Sequence, residues 1–126
     1  MRYPKTFELP TTDQLTGLVT AAYFRHLLRE KLIPEAQASG APLCLFLLDT
    51  DNFLGINTAH GREFGDQVLI EIARAMQNAV SANAVVSRYG GDEFCAALPE
   101  MRLDDAFTLT EELRRQIAAI KFKKHP

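Results

Sequence analysis

The stretch Val85-Val-Ser-Arg-Tyr-Gly-Gly-Asp-Glu-Phe-Cys-Ala-Ala-Leu98 decides the architecture. Its two β-prone runs, Val85–Tyr89 and Phe94–Leu98, flank Gly90-Gly91-Asp92-Glu93, and glycines between such runs favour a tight hairpin. Asp92 and Glu93 are thereby placed on or just after the turn. Pro99, without an N–H to donate, ends the second run. A third run, Leu43-Cys-Leu-Phe-Leu-Leu48, has no polar alternation, which predicts a strand buried on both faces at the centre of a helix-covered sheet. It leads directly into Asp49-Thr50-Asp51, so a second set of carboxylates stands at a strand end.

Helical periodicity fills the gaps between these strands. Phe24, Leu27, Leu28 and Leu32 recur at helical spacing from about Thr20 to Ala38, and Thr20 can cap the start. Pro34 should kink that helix or end it near Ile33, because proline removes a donor and clashes with the preceding turn. Ser39-Gly40-Ala41-Pro42 closes the segment as a loop. Phe53–His60 reads as one or two helical turns. Gly65-Asp66 opens a longer helix with Val68, Leu69, Ile72, Ala73, Met76 and Val80 on one stripe. A last helix from about Leu103 to Ile120 is carried by Ala106, Leu109, Leu113, Ile117 and Ile120.

A chain of 126 residues with 47% hydrophobic composition suits one small domain with a real core. Fourteen Lys plus Arg against 16 Asp plus Glu leave a formal net charge of -2, which does not call for a nucleic-acid partner. The short basic cluster Lys121, Lys123 and Lys124 reads as a solvated end, since only Phe122 is interleaved with it. Cys44 and Cys95 each lie inside an apolar run and read as reduced thiols, which suits a cytoplasmic location. No segment approaches the roughly 20 apolar residues of a membrane span, and none has the form of a signal peptide. Residues 1–10, with Pro4 and Pro10, read as a linker or lead-in.

Two acidic sets at strand ends point towards a divalent cation. Mg²⁺ prefers oxygen ligands and usually shares one or two protein carboxylates with substrate phosphates and water. Asp49 could converge with Asp92 or Glu93 if their strands are neighbours, and the Thr50 carbonyl could add an oxygen. Each set alone is better explained as a solvated loop, and Gly90 and Gly91 as turn formers; only together do the two sets make a metal as good an explanation. Gly61 and Gly65 do not fit a phosphate-loop or dinucleotide fingerprint, lacking the lysine and the strand-to-helix context. His26, His60 and His125 show no zinc spacing. Thiol catalysis has no motif around either cysteine.

Four ordered blocks together resemble the GGDEF family of diguanylate cyclases. They are Asp13-Gln-Leu-Thr-Gly-Leu18, Asp49-Thr-Asp51-Asn-Phe53 with Asn57, Gly65-Asp66, and Arg88-Tyr-Gly-Gly-Asp-Glu-Phe94, spread over residues 11–120. The resemblance implies an α+β fold of ferredoxin-like, nucleotidyl-cyclase palm type, with a central antiparallel sheet flanked by helices. It implies a bacterial signalling enzyme that condenses two GTP into cyclic di-GMP and pyrophosphate across a homodimer, using Mg²⁺ or Mn²⁺. Asp49, the Thr50 carbonyl and Asp92 are then the metal ligands, and Asp92 or Glu93 helps activate the 3′-hydroxyl. Asn57 and Asp66 match positions that read guanine, and the amides near Phe53 and Leu54 positions that touch phosphate. Asp51, Arg88, Gly90 and Gly91 complete the motifs as supporting residues. A sensor or dimerisation module ahead of the domain is the expected partner.

The departures from the family pattern leave an alternative open. Leu54 stands where a phosphate-contacting lysine is common, and Thr58 and Arg62 where aspartate and histidine are frequent. Thr20, Ala21 and Ala22 replace the usual Asn-Arg-Arg. Ser81 and Ala84 replace the arginine and aspartate of the inhibitory product site, so none is expected. Family members continue through a further hairpin, strand and helix. Residues 11–126 are therefore expected to form a GGDEF domain lacking its C-terminal strands and helix. The alternative is a degenerate domain that binds GTP as a regulatory or dimerisation module without turnover.

Overall fold

The computed structural model describes residues 7–51 and 53–120. Four strands among them form one sheet in the order β1-β3-β4-β2, where β1 is Val19–Thr20, β2 Leu43–Asp49, β3 Val85–Arg88 and β4 Glu93–Pro99. The hairpin expected around Gly90 and Gly91 is present: β3 and β4 pair antiparallel with Arg88 opposite Phe94. β4 also pairs antiparallel with β2 over seven positions, from Leu43 opposite Pro99 to Asp49 opposite Glu93. The two-residue β1 runs parallel to β3, so the sheet is mixed rather than purely antiparallel.

Its placement corrects the expectation for Leu43–Leu48. β4, not β2, is the doubly buried strand: Phe94, Cys95, Ala96, Ala97 and Leu98 are all buried. β2 is the edge of the sheet among the described residues, with Leu45 53% and Leu47 73% exposed. An uninterrupted apolar run says that both faces are apolar; it does not say how many strands lie beside it.

Helices cover the two faces of β4. On one face α4 (Arg62–Ala79) and α5 (Leu103–Ala118) bury Val68, Leu69, Ile72, Met76 and Leu113 against Val86, Phe94, Ala96 and Leu98. On the other, Phe24 and Leu32 pack on Cys95 and Ala97. The small side chains of Ala96 and Ala97 at the middle of β4 let helical side chains approach from both sides. α5 ends at Ala118, so Ile120, expected inside it, lies just beyond.

Pro34 is accommodated without a break. α1 (Ala21–Leu27) passes through a π-helical turn at Leu28–Leu32 into α2 (Ile33–Ser39). The Ile33 N–H reaches back to the Leu28 carbonyl, a spacing of five that widens the helix just before a residue unable to donate. Thr20 caps α1 as expected, its hydroxyl accepting from the Tyr23 amide at 3.2 Å. α2 ends at Gly40, whose φ of 73° is left-handed. α3 (Phe53–His60) is the expected short helix, but α4 starts three residues before Gly65 and buries that glycine within it. The lysine cluster of residues 121–124 and the first six residues lie outside the described residues.

Because the Phe94 ring is fully buried beneath α4 and α5, Phe94→Ala should cost about 3–5 kcal/mol through lost burial and an unfilled cavity. The shift of the urea unfolding midpoint measures it.

Candidate functional site

The strand ends that carry the acidic residues are locked together by Thr50. Its amide donates to the Asp92 carbonyl at 3.3 Å, and its hydroxyl lies 3.1 Å from Asp92 Oδ2 and 3.2 Å from that same carbonyl. The register of β2 and β4 sets Asp49 opposite Glu93. Asp49, Thr50, Asp92 and Glu93 are therefore brought to one end of the sheet, as the sequence suggested. Asp51 follows them on the exposed turn before α3.

Of the two hairpin glycines, Gly90 serves a close approach. Tyr89 and Gly90 both donate their amides to the Glu93 carbonyl, at 2.8 and 3.1 Å. A Cβ on Gly90 would run into the Glu93 carboxylate, so the bare backbone there leaves the acid its place. Arg88 braces the turn from beneath, donating from Nε and Nη2 to the Gly91 carbonyl at 3.1 and 2.7 Å. Its remaining nitrogen, Nη1, lies 3.3 Å from Asp13 Oδ1. Asp13 Oδ2 in turn accepts the Thr16 amide at 2.9 Å and the Thr16 hydroxyl at 2.7 Å. The hairpin is thus tied to a turn 75 residues upstream, a link that no local spacing reveals.

A second tether reaches the hairpin from α1. Arg25 Nη1 donates to the Tyr89 hydroxyl at 3.3 Å while its guanidinium lies 5.6 Å from the centre of that ring. Phe24 meets the same ring edge-on. The described part of the lead-in packs nearby, with Phe7 5.2 Å from Tyr23 and 4.9 Å from His26 between ring centres.

Between the hairpin and the α3–α4 corner lies an open cleft of about 430 Å³. Phe53, Asn57, Arg62, Asp66 and Leu69 line one side, and Arg88, Gly91 and Asp92 the other. Gly65 shapes it: a Cβ there would collide with Asn57 Oδ1 and come within 2.9 Å of Asn57 Cγ. Asn57 Oδ1 is buried against Gly65 and has no hydrogen-bond partner among the described residues, so its acceptor is unspent. Leu54, by contrast, is 79% exposed and does not line the cleft. Arg62 and Leu69 were not among the site residues expected from the sequence. Arg62 stood out there only as a departure from a family pattern.

The donor set can be weighed against a divalent cation. Two carboxylates, Asp49 and Asp92, and a backbone carbonyl at Thr50 offer oxygen alone, the chemistry that Mg²⁺ or Mn²⁺ accepts when phosphates and water complete its shell. No cluster of three or more His, Cys, Asp or Glu side chains suited to a metal occurs among the described residues. The fit is thus to a cation shared with a ligand and not to an all-protein cage. Cys95 is a different case, since burial pushes its thiol up to about 11, partly offset by the Ala96 amide, and keeps it protonated. Both cysteines are free thiols.

A mixed sheet flanked by helices, with acidic strand ends beside a polar cleft, defines the palm-like class of nucleotidyl cyclases. Comparison narrows this further: the family model "Diguanylate cyclase, GGDEF domain" matches residues 10–125. The chain belongs to the GGDEF diguanylate-cyclase domain family. It is 37% identical over 117 residues to the response regulator PleD of Caulobacter vibrioides, covering 93% of this chain and 26% of that protein. It is 33% identical over 114 residues to the diguanylate cyclase DgcM of Escherichia coli, covering 90% of this chain and 28% of DgcM. The chain thus spans about a quarter of these curated relatives. The crystal structure of the GGDEF domain of DgcB from Caulobacter crescentus in complex with c-di-GMP superposes with a TM-score of 0.86 at 30% identity. That match covers 99% of this chain and 71% of the DgcB chain. No helix of the described residues is long and apolar enough to cross a membrane.

The Asp13 carboxyl supplies a pH signature. Burial alone would raise its pKa, but the Thr16 hydroxyl and amide, together with the Arg88 guanidinium, outweigh this and hold it below the usual carboxylate range. A carboxyl depressed on folding stabilises the fold above its unfolded value, near pH 4, and loses that contribution as pH falls through the lower folded value. Asp13→Asn should therefore destabilise by about 1–3 kcal/mol at neutral pH. The gap to wild type should begin to narrow as pH falls below about 4 and go on closing towards the lower folded value, as read from urea titrations across the acid range.

Proposed function

We propose that this domain is a GTP half-site of a diguanylate cyclase, two copies of which face each other to make cyclic di-GMP. The observation that carries this reading is the Thr50–Asp92 link, which joins the acidic end of β2 to Asp92 on the wall of the cleft containing Asn57 and Asp66. Family membership and the diguanylate cyclases among the relatives support it.

Guanine is assigned to the α3–α4 side of the cleft. Asp66 is an acceptor suited to N1–H and N2–H, and the unsatisfied amide of Asn57 can take a further polar atom of the base. Phosphates are assigned to the start of α3, where the first-turn amides of Phe53 and Leu54 have no intrahelical acceptor and carry the positive end of the helix dipole. Asp49, the Thr50 carbonyl and Asp92 would hold Mg²⁺ or Mn²⁺. Such an ion, when bound, neutralises triphosphate charge and eases deprotonation of a neighbouring hydroxyl.

Asp92 or Glu93 receives the proton of the 3′-hydroxyl. That oxygen forms a bond to the α-phosphorus of the GTP held by the opposite domain, and the bond from that phosphorus to the bridging oxygen breaks, releasing pyrophosphate. Repetition with the roles exchanged closes the ring. A single domain holds only one of the two reactants, so opposition of two copies is what creates effective concentration, and a sensor or dimerisation module can regulate it.

Leu54 favours a second reading. It offers the phosphates a backbone amide but no charge, so GTP could be held as a regulatory ligand without turnover. Incubation with GTP and Mg²⁺ or Mn²⁺ at high protein concentration, with chromatography of the products, separates the two. Cyclic di-GMP establishes the enzyme; bound GTP without product leaves the regulatory module; no GTP binding removes both.

Asp92→Asn should lower turnover by at least about a hundredfold with its circular dichroism spectrum unchanged. Residual turnover near wild type would remove Asp92 from the metal set. Gly65→Ala should leave stability within about 1 kcal/mol, the helix-propensity gain opposing the displacement of the Asn57 amide. It should nevertheless weaken GTP binding measurably by calorimetry, because the displaced amide no longer faces the base.

A further inference from the structure

Arg62 is the first residue of α4, and Asp66 stands four residues on, one turn along the same helical face. Both side chains line the cleft, with Asn57 on the adjoining wall. Helical side chains lean towards the N-terminus, so both reach over the α3–α4 corner, where the Gly61 amide donates to the Asn57 carbonyl at 2.9 Å. An arginine and an aspartate at this spacing are within pairing reach, though with the base ahead of the acid the pair is the weaker of the two orientations. Here no ion pair joins Arg62 to Asp66 or Asp92, and Arg62 has no ion pair at all among the described residues. The cleft's other cation, Arg88, is already committed to Asp13 and the Gly91 carbonyl. Arg62 is thus an exposed guanidinium on the wall of a polar cleft, with its donors unclaimed.

Guanine needs such a group. Its N1–H and N2–H are donors that a carboxylate can accept, but its O6 and N7 are acceptors that Asp66 cannot serve. A guanidinium offers two parallel N–H groups matched to O6 and N7, the commonest way in which arginine recognises this base. Adenine would place an amino group where O6 stands and an acceptor where N1–H stands, opposing both side chains at once. The geometry points to Arg62 as a specificity-determining residue that donates to O6 and N7 of the guanine whose N1–H and N2–H are held by Asp66. This rests on the assignment of guanine to the α3–α4 side of the cleft.

The test compares GTP with 7-deaza-GTP, which lacks the N7 acceptor, by calorimetry on the full chain in the presence of Mg²⁺. Wild type should bind 7-deaza-GTP about tenfold more weakly than GTP, the usual loss for one charge-assisted hydrogen bond. Arg62→Ala, an exposed position whose thermal unfolding should be unchanged, should bind GTP at least about tenfold more weakly and no longer distinguish it from 7-deaza-GTP. Equal binding of the two nucleotides by wild type would overturn the assignment, as would a variant that keeps the wild-type ratio. So would an Arg62→Ala loss seen with GTP but absent with guanosine, which would make Arg62 a phosphate contact. Asp66→Asn separates this inference from the one beneath it. If that variant loses its preference for GTP over ATP while Arg62→Ala keeps the 7-deaza ratio, only the role of Arg62 fails. If wild type itself binds ATP as tightly as GTP, the guanine assignment fails and takes this inference with it.

Discussion

The antiparallel ladder between β2 and β4 is the constraint on which the site depends. Its seven-position register places Asp49 opposite Glu93 and directs Phe46 and Leu48 towards α4 and α5. A slip of one residue would turn those side chains to the other face and carry Asp49 away from the hairpin. β2 has no other partner strand among the described residues, so this single ladder and the Thr50–Asp92 hydrogen bonds at its end determine where the first acidic set stands.

The hairpin that supplies the second set is held from outside the sheet. Asp13, Arg88 and the Gly91 carbonyl form one chain of contacts, and Arg25 with Tyr89 forms another. The first originates in the turn ahead of α1 and the second in α1 itself, on either side of the parallel β1–β3 pairing. A turn containing two glycines has little stiffness of its own. The tethers supply stiffness that the turn lacks.

Much of this was legible because it is local. The strand–turn–strand pattern around Gly90 and Gly91, the cap at Thr20 and the apolar stripe of α4 each follow from spacing over a few residues. Errors arose where a neighbour decides. The run at Leu43–Leu48 has apolar residues on both faces and read as a central strand, whereas adjacency puts it at the edge and gives the centre to the shorter side chains of β4. Pro34 read as a kink or an end near Ile33, but the π-helical turn before it absorbs the missing donor and the helix continues to Ser39. Gly65 read as a helix start, when its lack of a side chain is what lets Asn57 lie beside an already formed helix.

The site divides in the same way. Asp49, Asn57, Asp66, Asp92 and Glu93, the residues proposed for the site, stand out in sequence motifs, since backbone turns and strand ends set their positions within a few residues of chain. The sequence alone therefore determined the family, the hairpin and the acidic residue types. Only the tertiary structure decided that Asp13 braces the hairpin through Arg88 and that Arg62 faces the same cleft as Asp66. It also decided that β4 is the central strand. Such choices depend on contacts between residues far apart in sequence, whose energies come from packing and pairing in space and leave no periodic trace along the chain.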